Sequence, residues 1–85
     1  MYRKLESLYE NIQVYYLAVV STKKVGIQES KELNRQVNAL YFEFTDMQDK
    51  LLSTYLNYVQ LKCVLFMVER VNYYTNQIRI ILGGV

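Results

Sequence analysis

Eight acidic side chains, ten basic ones, nine phenols and a single thiol are the groups with which this 85-residue chain could do chemistry. Histidine, the usual general base near neutral pH, is absent. Two carboxylate pairs stand at i, i+3: Asp46 with Asp49, and Glu29 with Glu32. On a helix each pair shares a face, where it could bind magnesium or divide acid and base work between its members. Both pairs lie among polar residues with no glycine-rich loop beside them, so they read as solvated helix faces. Cys63 is the lone cysteine and cannot close an internal disulfide. Without histidine the usual zinc ligand sets are missing as well. No phosphate-cradling loop, nucleophile elbow or Cys-x-x-Cys occurs. The expectation is a protein that is not an enzyme, with no catalytic residues, no metal and no cofactor.

The bulk composition points to packing. Apolar residues make up 52% of the chain and charged residues 21%, the balance of a chain that folds. A core drawn from so few residues is marginal, and with neither disulfide nor metal available a partner is the natural remedy. The net charge of +2 comes from scattered charges of alternating sign, whose only basic doublets are Arg3-Lys4 and Lys23-Lys24. A nucleic-acid binder needs a basic stripe, so no such partner is expected. The longest apolar run, Cys63 to Val68, is far short of the roughly twenty residues a membrane span requires. Glu6 and Glu10 interrupt the region where a signal peptide would be apolar. The chain reads as soluble and cytoplasmic or otherwise intracellular, with virion association a compatible location. An origin in a virus or other mobile element suits its size and composition.

The elements that must position these residues read as helical throughout. There is no proline, so nothing forces a helix to stop. Leu5, Leu8, Ile12, Tyr15 and Val19 form a stripe at spacings of three and four, predicting a helix over residues 2–21. Tyr2, Tyr9 and Tyr16 border that stripe as a rim of packed rings with wet hydroxyls. Residues 22–29 hold the only internal glycine, Gly26, and mark a turn. Ser30 is placed as an N-cap, with Glu29 and Glu32 suiting the positive end of the helix dipole. From there a long helix is expected over residues 30–82. Its seam is Leu33, Val37, Leu40, Phe44, Met47, Leu51, Thr54, Tyr58, Leu61, Leu65 and Val68, an unbroken heptad alternation. A second stripe follows Leu52, Leu56, Val59, Cys63 and Phe66, so this stretch is apolar on two sides and must be enclosed. Cys63, lying in that stripe, is expected to be buried and inert. Thr45-Asp46-Met47-Gln48 matches a capping box and could kink the helix near Thr45, and the tail 76–82 has some strand character. Continuous helix is the preferred reading at both places.

The fold class expected is therefore all-α: one domain over residues 1–85, a helical hairpin assembling into an oligomeric bundle. At 1.5 Å per residue the second helix would run roughly 80 Å and the first only about 30 Å. Folded back antiparallel, the first helix would bring Tyr2 near Asp49 and leave everything beyond Leu51 uncovered. Exposed apolar surface of that extent marks association. The expected interface comprises Leu51, Leu52, Leu56, Tyr58, Val59, Leu61, Leu65, Phe66 and Val68.

One stretch resembles a known family. Ser30-Lys31-Glu32-Leu33-Asn34, with Val37-Asn38 following, is similar to the Ser-Gln-Glu-Leu-Asp signature of the small sporulation-phosphorelay aspartyl-phosphatases. Upstream, Leu5-Glu6-Ser7-Leu8 resembles the Ile-Glu-x-Leu start of their first helix. The resemblance covers residues 5–41. It implies a helical hairpin that dephosphorylates a response regulator, with Ser30, Glu32 and Asn34 marking the partner-binding face. The family's aspartate corresponds to Asn34, its glutamine to Lys31 and its first-helix arginine to Tyr9, departures that imply impaired or lost phosphatase activity.

Three functional expectations follow. The leading one is a non-enzymatic, homo-oligomeric helical interaction module with an assembly, adaptor or regulatory role, its partner being itself. The second is a response-regulator aspartyl-phosphatase or an inactive relative. The third is a helical subunit of a larger hetero-complex, in which the second apolar stripe meets a different protein.

Overall fold

The computed structural model describes residues 2–21 and 26–83, and over them the chain is all helix and connection. Helix α1 spans Tyr2–Ser21, α2 spans Ile27–Leu52 and α3 spans Tyr58–Gly83. The all-α class is as expected, but three helices replace the expected two. Residues 22–25 of the expected turn lie outside the described residues.

Helix α1 forms on the stripe its spacing indicates, burying Leu5, Leu8, Ile12 and Val19 with Tyr15 half-buried. Helix α2 starts at Ile27, three residues before the expected position. Gly26 stands at its N-cap in extended backbone (φ −64°, ψ 157°) and offers no side-chain cap. Ser30 is thus inside the first turn, its amide donating to the Gly26 carbonyl at 2.8 Å and its residue surface 8% exposed. Glu29, in that turn, complements the helix dipole as expected. No kink forms at Thr45. Its hydroxyl donates back to the Tyr41 carbonyl at 2.9 Å, a mid-helix habit of threonine, and the helix continues to Leu52.

The long helix expected over 30–82 instead breaks at residues 53–57. Polar side chains make that break without glycine or proline. Ser53 and Thr54 turn their hydroxyls onto the Lys50 and Leu51 carbonyls at 2.8 and 2.7 Å, satisfying acceptors that a continuing helix would use. Asn57 and Gln60 then start α3 as a reciprocal capping box. The Gln60 amide donates to Asn57 Oδ1 at 2.8 Å and the Asn57 amide to Gln60 Oε1 at 3.3 Å. Helix α3 runs through the 76–82 tail, so no strand forms there.

The break lets α3 turn back along α2, making a three-helix bundle 44 × 18 × 18 Å in extent. Tyr41 of α2 hydrogen-bonds Asn72 of α3 at 3.0 Å, while Leu51 and Val64 share one core cluster and Val37, Ile78 and Leu82 another. The two helices are therefore antiparallel. Helix α1 is antiparallel to α2 as expected, with Tyr15 donating to Gln36 at 2.7 Å. Against α3 it runs parallel, with Tyr2 beside Cys63 at one end and Val19 clustered with Ile78 and Leu82 at the other; between them Tyr9 stacks on Tyr74 and the Tyr16 ring tilts against it. The core of α3 is Val64, Met67, Val71, Tyr74, Ile78 and Leu82. The half of the chain expected to lie uncovered thus supplies, through α3, six of the fourteen buried hydrophobic residues among those described.

Candidate interaction surface

The face that α3 turns away from the bundle is exposed and largely apolar. Of the expected interface residues, only Leu51 belongs to the core; Leu56 and Val68 are half-buried at its edge. Tyr58 is 70% exposed, Val59 68%, Phe66 56% and Leu65 50%, and Leu52 and Leu61 are exposed as well. The seam expected through Leu61 and Leu65 does not point into the core, because the connection at 53–57 resets the register. Helix α3 carries Tyr73, Ile80 and Ile81 exposed further along. Its apolar residues go nearly all the way round, whereas its packing covers one side only.

Cys63 is exposed, which corrects the expectation of a buried thiol. With α1 beside α3, Cys63 meets Tyr2 across the end of the bundle, and burial together with a hydrogen bond to Cys63 pushes the Tyr2 phenol up to about 12. An open groove of about 520 Å³ lies there, lined by Tyr2, Glu6, Glu10, Lys62, Cys63 and Phe66 among others. Further along, Tyr74 is buried and its hydroxyl accepts from Arg70 at 3.0 Å and from Gln13 at 3.2 Å. Burial works to raise the Tyr74 phenol. The hydrogen bonds with Arg70, Tyr9 and Gln13 outweigh it and hold the group below its ordinary value. The rim of Tyr2, Tyr9 and Tyr16 is half-buried as expected, packed on a helix that a two-helix hairpin would not supply.

The residues marked by the family resemblance occupy the first two turns of α2. Ser30 is buried, Asn34 half-buried and Glu32 exposed. Glu32 accepts from Arg35 Nε at 3.1 Å and from Gln36 Nε2 at 3.0 Å, and these hydrogen bonds, Arg35 first, lower its pKa. Asp46 pairs with Lys50 at 3.1 Å, an exposed i, i+4 bridge. Among the described residues no group of three or more acidic or cysteine side chains is placed to hold a metal ion. No helix among them is long and apolar enough to cross a membrane. Comparison with protein-family models, with curated proteins and with solved structures found no match.

Proposed function

We propose that the chain is a non-enzymatic helical interaction module that associates with copies of itself through the outward face of α3, in an assembly, adaptor or regulatory role. The observation that carries the reading is that α3 stays apolar on the side its own bundle leaves bare, with Tyr58, Val59, Leu65 and Phe66 all exposed. An amphipathic helix of a self-sufficient bundle would be polar there. Large contiguous apolar surface is rare on monomers and marks association. The absence of histidine from the sequence supports a role through surfaces rather than through acid–base chemistry.

Sedimentation equilibrium at micromolar concentration tests the proposal. The expected result is a mass of at least two chains, falling to one chain in Leu65→Lys, since a lysine seated without a partner in a closed apolar contact is very unfavourable. A wild-type protein that stays at the mass of one chain overturns it.

A further inference from the structure

The outward line of α3 has an order that its apolar character alone does not require. At spacings of four, three, four and four residues come Tyr58, Lys62, Leu65, Glu69 and Tyr73, with Phe66 beside Leu65, and every one of these is exposed. About the point midway between Leu65 and Phe66 the line is a palindrome of complementary chemistry. Tyr58 mirrors Tyr73, Lys62 mirrors Glu69, and Leu65 mirrors Phe66. Lys62 lies over the Tyr58 ring at 4.9 Å, and neither Lys62 nor Glu69 is in an ion pair among the described residues.

A two-fold interface brings residue i of one copy to residue j of the other, and j to i. We propose that a second copy of this chain docks on α3 in antiparallel sense, the two-fold axis passing between Leu65 and Phe66. Leu65 and Phe66 of each copy pack on each other's at the centre. Two equivalent Lys62–Glu69 ion pairs flank them, and a Tyr58–Tyr73 contact closes each end. The contact line from residue 58 to residue 73 is about 22 Å long at the α-helical rise. Parallel docking would set Lys62 against Lys62 and Glu69 against Glu69, so the charges select direction as well as partner. This assignment rests on the self-association proposed above and adds its geometry.

Charge reversal tests it by sedimentation equilibrium. Lys62→Glu alone and Glu69→Lys alone each turn both cross-pairs into repulsions, and each is expected to weaken self-association by about tenfold or more. The double variant restores the pairs with their signs exchanged and should return to the wild-type constant. Mixing the two single variants should produce a heterodimer tighter than either homodimer, because every cross-pair is then opposite in sign. Lys62 and Glu69 are both on the surface, so circular dichroism should show unchanged helix in each variant. A wild-type protein that self-associates while the reversals have no effect, or are not rescued by the double variant and the mixture, overturns the antiparallel pairing and leaves the association itself standing. A wild-type protein of single-chain mass overturns both.

Discussion

The phenols are the titratable groups whose environment this fold alters most. Tyr2 is pushed up to about 12 by burial and its contact with Cys63. Tyr9 is raised by burial and its hydrogen bond to Tyr74, and Tyr16 by its hydrogen bond to Tyr73 and by burial. A raised phenol favours the neutral form in the folded state. Its contribution to stability is fully present below the unfolded value near 10 and is lost as pH rises through the folded value. Tyr74, held low, works in the opposite direction, adding stability as pH rises toward 10, so the fall above 10 belongs to the raised groups, Tyr2 foremost. The urea midpoint should therefore fall from about pH 10 upward. Tyr2→Phe should flatten that fall. A midpoint that rises across this alkaline range would contradict the assignment. Cys63 makes a second point at the same scale. Because it is exposed, a thiol reagent should label the native protein to one equivalent without denaturant. Protection of the thiol until unfolding would place it in a contact that the single bundle does not make.

At the scale of elements, one short polar segment decides the architecture. Ser53 and Thr54 close α2 with their own hydroxyls, and Asn57 with Gln60 opens α3. Asn57→Ala removes the cap on the third helix and should cost about 1 kcal/mol, within the 0.5–2 range for such caps. Equilibrium urea unfolding measures it, with the slope unchanged if only the cap is lost. The same segment explains which parts of the fold were readable from residue pattern. Helix α1 and the seam of α2 through Val37, Phe44, Met47 and Leu51 follow the apolar period, because there one face is plainly apolar and the other polar. The heptad count fails beyond Leu51 because it was carried across a break that apolar spacing does not register. Asn57-Tyr58-Val59-Gln60 was the available signal, an Asn followed three residues later by Gln ahead of an apolar run. Counted afresh from Asn57, Val64, Met67, Val71, Tyr74, Ile78 and Leu82 form an equally regular stripe. Helix α3 is apolar on several sides, so periodicity alone could not choose which stripe faces inward.

For the whole molecule, that surplus of apolar faces separates the residues that fold the chain from those proposed to bind a second copy. The apolar character of Tyr58, Val59, Leu65 and Phe66 is plain in the sequence, but a mismatch in helix lengths is not the reason they are exposed, because α2 ends at Leu52 and α3 folds back along it. What replaces that reason is a monomer with its own core. Phe44 is almost wholly buried between α1 and α3, and Phe44→Ala should cost about 3–5 kcal/mol. For a domain of this size the total is on the order of 4–13 kcal/mol, so this variant should lose much of its helix signal near physiological temperature. Leu65→Lys should behave differently, since Leu65 lies outside both core clusters. Its helix content should survive dissociation, because each chain keeps the contacts among its three helices. Mass action then distinguishes the two residues. An associating wild type should melt at a temperature that rises with protein concentration, whereas Leu65→Lys should melt at one temperature whatever the concentration. Thermal melts followed by circular dichroism over a hundredfold range of concentration measure both. Loss of helix in Leu65→Lys would show that the three-helix bundle cannot stand without a second copy, and a wild-type midpoint independent of concentration would remove the association on which the proposed function rests.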